Sequence, residues 1–175
     1  MRLAALFLAL AAAAPAHAAD LATIDCVIEK LQPALRAQIE TDITRNMGEA
    51  ALRPTYDAAV GTGLGVAAAA CATEHKWSDA AVSAARTYTL AKLGRPIAET
   101  FVTGKGFDPG ELEAHFGELA EEARNRPLTK EEMQGLVVAS VTDEAKQTRE
   151  NATLLNKYFL FLSTVQYAAW DFAQA

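Results

Sequence analysis

Four residues in the second half of the chain have the types and spacing of a metal or proton-transfer site. Glu111, His115, Glu118 and Glu122 stand at steps of four, three and four, which on one α-helix places them along a single face. An imidazole flanked by carboxylates can hold a divalent cation, or exchange a proton with a bound molecule. Di-iron helical bundles need Glu-x-x-His on two helices. Here the step from Glu111 to His115 is one residue longer, and no second motif occurs. A solvated acidic face near a helix N-terminus, where the helix dipole favours negative charge, accounts for the same residues. The four are carried forward as candidate metal ligands, and as the basis of one functional reading, a metal-assisted hydrolase using His115.

Cys26 and Cys71 are the only two cysteines. They form no CxxC and lie far apart in sequence, so a redox or metal-binding pair is not indicated, and one structural disulfide is the expectation. The midpoint of the two positions falls beside Gly48, where the first helix should reverse. Two antiparallel helices joined there would carry both sulfurs at one height, because the rise per residue is equal on both. A loop of that length is worth at most roughly 4 kcal/mol in the chain-entropy picture.

Gly61, Gly63 and Gly65 interrupt an otherwise helical run, each at a cost of about 1 kcal/mol relative to Ala. Gly61 and Gly65, continuing to Ala69, make a ridge of small residues that lets another backbone approach closely, within the bundle or in a second copy. The Gly61/Gly65 face is therefore a candidate oligomer contact. Glu74-His75 closes the same run, and a protonated His at a helix C-terminus is favoured by the dipole alone. No phosphate loop, nucleophile elbow or CxxCH haem motif is found, so no cofactor is expected.

The elements that must position these residues read as helices throughout. Ile24, Val27, Ile28, Leu31, Leu35, Ile39 and Ile43 recur at steps of three and four, an amphipathic stripe in which Pro33 forces a kink or a restart. A second helix covers about 54–74. Trp77-Ser78, Phe107-Asp108 and Leu128-Thr129 each put an apolar residue before a capping side chain, with Val82, Leu112 and Met133 four residues after the cap. That is the hydrophobic staple, and Glu111 and Glu132 extend two of the caps into capping boxes. Gly94 and Pro96 are expected to split the third run near Leu93, and Asn125-Arg126-Pro127 to end a fourth helix over 111–125. After residue 129 the pattern leaves one bent helix or two undecided, with 154–172 as a buried core helix. No alternating strand pattern occurs. The fold class is all-α: a single-domain bundle of five to seven helices, the first two forming a disulfide-linked antiparallel hairpin.

The N-terminus adds an address. Arg2, an apolar run from Leu3 to Ala14, Pro15, and Ala16-His17-Ala18 before Ala19 have the form of a bacterial-type signal peptide cleaved after Ala18. Residues 1–18 are thus expected to be a leader and 19–175 the helical-bundle domain of a periplasmic or secreted protein. The run of twelve apolar residues falls short of the roughly 20 that span a membrane, and no later stretch reaches that length. The full chain carries 16 basic and 22 acidic residues, a net charge of −6, with no basic cluster, so a nucleic acid is not an expected partner. The reading that results is a small exported bundle that binds a protein or a small-molecule ligand. An inhibitor or immunity-type protein with an acidic surface and the His115 hydrolase are its alternatives.

Overall fold

The computed structural model describes residues 18–175. The leader expected at 1–18 therefore lies outside the described residues, apart from Ala18. Eight α-helices follow in order: α1 (Cys26–Lys30), α2 (Pro33–Gly48), α3 (Ala58–His75), α4 (Asp79–Gly104), α5 (Pro109–Gly117), α6 (Glu121–Arg124), α7 (Lys130–Ser140) and α8 (Arg149–Gln174). Short 3-10 turns at Leu21–Thr23 and Glu144–Lys146 complete the secondary structure. No strand occurs among the described residues, so the all-α class holds. The helix number exceeds the expected five to seven because two of the anticipated helices are each divided in two.

The first division is at Pro33. Its ring cannot continue α1, so Leu31 and Gln32 turn extended and Pro33 becomes the first residue of α2, a position where its missing N–H costs nothing. The second lies inside the expected 111–125 helix. The helix α5 ends at Gly117, and residues 118–120 break the helix before α6. Toward the C-terminus the undecided region resolves into separate α7 and α8, parted by the polar segment 141–148.

Caps fix the starts. Asp57, Ser78, Asp108, Thr129 and Thr148 each accept a backbone N–H from the first turn of the following helix. The reciprocal capping box forms at Thr129 and Glu132. At Asp108 the side chain takes the Gly110 N–H, and no reciprocal bond from Glu111 accompanies it.

One expected break is absent. The helix α4 runs unbroken through Gly94 and Pro96. Gly94 is no stop, because a Cβ there would overlap the Phe161 ring of α8; the bare backbone is a socket for that ring. Pro96 is exposed, so its ring stands on the solvent side of the helix. The two longest helices, α4 and α8, are packed along each other as the centre of the molecule. Tyr158, Phe159 and Phe172 of α8 are the largest fully buried side chains, joined by Ile39 and Ile43 of α2 and Leu112 of α5. Each of these stabilises the fold by about 1.5–3 kcal/mol through burial.

The disulfide between Cys26 and Cys71 is formed, with Cα atoms 6.0 Å apart. It does not join the first two helices as a hairpin. The break at Pro33 leaves Cys26 on the short α1 and the long stripe on α2, so the staple runs from α1 to α3. The reversal after α2 is the nine-residue segment 49–57, not a tight turn at Gly48.

Candidate functional site

Polar residues on the core side of α2 build the most elaborate local structure in the molecule. Asp42 and Asn46 continue the spacing of Ile39 and Ile43, which turns them inward, and both are buried. A buried carboxylate requires donors, and Asp42 has three: the Gln38 side-chain amide at 3.1 Å, the Arg45 guanidinium at 3.0 Å and the Asp57 N–H at 2.7 Å. Asn46 accepts from the Thr55 N–H at 3.1 Å and donates to the Thr55 carbonyl at 2.9 Å. Arg45 also donates to that carbonyl. Segment 49–57 is thus strapped to the end of α2 by side chains rather than by backbone pairing. Tyr56 lies half-buried on the strap; its pKa is raised by burial, with the Asp42 charge acting in the same direction.

Lys157 of α8 reaches this end of α2 from the other side. It is 6% exposed, and its ammonium donates to the Asn46 carbonyl at 2.5 Å and to the Glu49 carbonyl. These are carbonyls at the negative end of the α2 dipole, where a cation is favoured. Burial nevertheless lowers the Lys157 pKa below the ordinary lysine range, the Glu49 carboxylate opposing it. Lys157 has no ion-pair partner among the described residues.

Two clefts flank the 46–50 backbone. One, of about 210 Å³, is walled by Met47, Tyr56, Leu90, Leu160 and Phe161, with Lys157 as its charged residue. The other, of about 600 Å³, lies between the end of α2, the end of α4 and the start of α8, and exposes Lys105, Arg149 and Glu150 beside Phe101 and Leu154. Met47 lines both. Lys105 and Glu150 pair at 2.6 Å across the larger one.

The residues singled out by spacing are placed differently. Glu111 and His115 lie on α5, Glu118 caps its end, and Glu122 falls on α6 beyond the break. The four do not share one helix face. The three glutamates are exposed and His115 is half-buried. The imidazole Nδ1 lies 3.1 Å from Ser140 Oγ of α7. The Ser140 proton goes to the Leu136 carbonyl at 2.8 Å, so the hydroxyl accepts from the ring N–H. A nucleophile and its base need the opposite polarity.

One set of three groups with metal-ligand chemistry does converge among the described residues, and it lies elsewhere: Cys26, Glu74 and His75, their ligand atoms all within 4.8 Å of one another. Gly61 and Gly65 would meet nothing if given a Cβ, whereas Gly63 touches Leu35 of α2. The close approach inside the bundle is therefore made at Gly63, and the Gly61/Gly65 positions stand open.

Sequence reasoning missed Lys157, Asp42 and Asn46. The signal was present: each is a polar residue at helical spacing from apolar neighbours, Ile39 and Ile43 for the α2 pair, Leu154 and Phe161 for Lys157. No protein-family model, curated protein or solved structure matches the chain.

Proposed function

We propose that this is an exported helical-bundle protein that works by binding a small ligand in the cleft between α4, α8 and the strap 49–57. The ligand class follows from the walls: an apolar body of about one ring, carrying a carboxylate or comparable anionic group directed at Lys157. Cavities of about 150 Å³ accommodate a single aromatic ring, and this cleft has about 210 Å³. The observation that carries the reading is the Lys157 ammonium, buried in an apolar wall with two carbonyl partners and no carboxylate in ion-pair contact. An ammonium has three donors, so one is left for a ligand. Few convergent polar groups in an apolar cleft are the usual make-up of a small-molecule site.

Export is supported by the form of residues 1–18 and by the Cys26–Cys71 bond, since disulfides persist in oxidising compartments. No described helix is long and apolar enough to cross a membrane.

Calorimetric titration with a panel of aromatic carboxylates and their neutral amides tests the proposal. At least one carboxylate should bind, its amide at least tenfold more weakly, and Lys157→Met should remove that preference. Leu90→Phe, which fills the cleft from α4 and leaves the lysine in place, should also abolish binding. If carboxylate and amide bind equally, or if a basic protein binds while no small acid does, the ligand reading fails and the acidic-inhibitor reading takes its place.

A further inference from the structure

We propose that the Cys26–Cys71 corner becomes a zinc site when its disulfide is reduced, with Cys26, Cys71 and His75 as ligands and Glu74 as the fourth. The inference is independent of the ligand cleft, which lies at the α2–α3 strap.

Three of the four ligands already converge, and Cys71 lies on the same helix face as two of them. Cys71, Glu74 and His75 occupy positions i, i+3 and i+4 of α3, hence one face of that helix. Cys26 of α1 is bonded to Cys71 and brings its sulfur within 4.8 Å of the Glu74 and His75 ligand atoms. The His75 ring is held in place by stacking on Trp77, centroids 5.6 Å apart. Trp77 is itself fixed by its indole N–H on Thr23 Oγ1 at 3.1 Å and by an edge contact with Phe172. Such backing is what orients a metal ligand. Both cysteines are buried, while the His75 and Glu74 side chains are 27% and 55% exposed, so an ion would enter from their side. Glu74 pairs with Lys30 at 2.7 Å and would exchange that partner for the metal.

The chemistry balances with a dithiol as reductant. The dithiol gives two electrons and two protons to the Cys26–Cys71 bond and leaves as its own disulfide, and both cysteines emerge as thiols. Zinc then displaces the two thiol protons to solvent, and neutral His75 and the Glu74 carboxylate bind without further proton loss. Two thiolates, one imidazole and one carboxylate suit a tetrahedral, borderline-soft ion. With Zn–S bonds of about 2.3 Å the sulfurs would stand roughly 3.8 Å apart. Cα atoms 6.0 Å apart allow this.

The full chain, stripped with chelator and reduced with a phosphine, which does not compete for zinc as a dithiol does, is titrated with Co²⁺ and then Zn²⁺. Circular dichroism follows the helices throughout. The reduced chain should bind one cobalt per molecule with thiolate-to-cobalt charge-transfer absorption and tetrahedral ligand-field bands, and zinc should displace it; the oxidised chain should bind none. His75→Ala should weaken binding at least tenfold, and Cys26→Ser, which leaves one of the two thiolates, should lower the charge-transfer intensity by about half. If reduction loosens the helices, zinc should restore them. A reduced chain that takes up no cobalt, folded or unfolded, overturns the proposal. So does equal binding by the oxidised chain, or binding unchanged by His75→Ala.

Discussion

Taking a lysine ammonium out of water is unfavourable unless acceptors replace the solvent, and at Lys157 those acceptors are carbonyls that α2 could not pair internally. Removal of the amine therefore exposes a defect on the other side of the contact. Lys157→Ala should destabilise the fold by about 2–4 kcal/mol in urea denaturation, from lost packing and unsatisfied carbonyls together. Lys157→Met, which keeps the stem, should cost less. Glu132 gives the opposite situation at the surface. The paired guanidinium of Arg126 and the Thr129 N–H lower its pKa from 4.5 to about 2. A carboxylate depressed in the folded state contributes stability that is complete above its unfolded value and is lost as pH falls. Stability should thus decline between pH 4.5 and pH 2 in the native chain. Glu132→Gln, which can still close the capping box, should flatten that part of the curve; an unchanged slope would show that Glu132 does not contribute to it. At this scale the sequence was legible where a residue type has few uses. Two cysteines in one chain have one possible pairing, whereas a lone lysine among aromatics reads as an interruption until a neighbouring helix end supplies its acceptors.

Helix starts were legible because they are written locally: a cap, its staple and sometimes a proline sit within five residues, as at Thr129 and Asp108. Helix ends and breaks were not, because they depend on what the other helices bring. Gly94 reads as a terminator from sequence, yet in the bundle it is the point where Phe161 enters α4. The spacing of Glu111, His115, Glu118 and Glu122 implied a continuous helix, yet the helix breaks after Gly117, and Phe116 and Ala123, on either side of the break, are both buried. Glycine substitutions separate the cases. Gly94→Ala should destabilise by about 1–3 kcal/mol, since the added methyl must displace a packed ring. Gly61→Ala and Gly65→Ala, facing open space, should each stabilise by about 0.5–1 kcal/mol through helix propensity. Urea midpoints of the three variants check the ordering.

For the molecule as a whole, the class of fold was readable from periodicity, but the partner of each helix was not. The disulfide was expected to close a hairpin and instead anchors α1, a helix of five residues, to α3. So short a helix has little stability of its own, and the staple holds the N-terminal segment against the bundle. Reduction in the absence of metal should cost about 2–4 kcal/mol, seen as a fall in the thermal midpoint of roughly 4–16 °C for a chain of this size. The pairing of α4 with α8 has a consequence in time. The apolar face of α4 is complete once Gly104 has been made, but the larger part of its cover arrives only with the last 26-residue helix. At roughly 5–20 residues per second, the 70 residues from Lys105 to Gln174 take about 4–14 s to synthesise. For that interval the part of the core that α8 closes stays open. Apolar surface left uncovered for that long is open to aggregation.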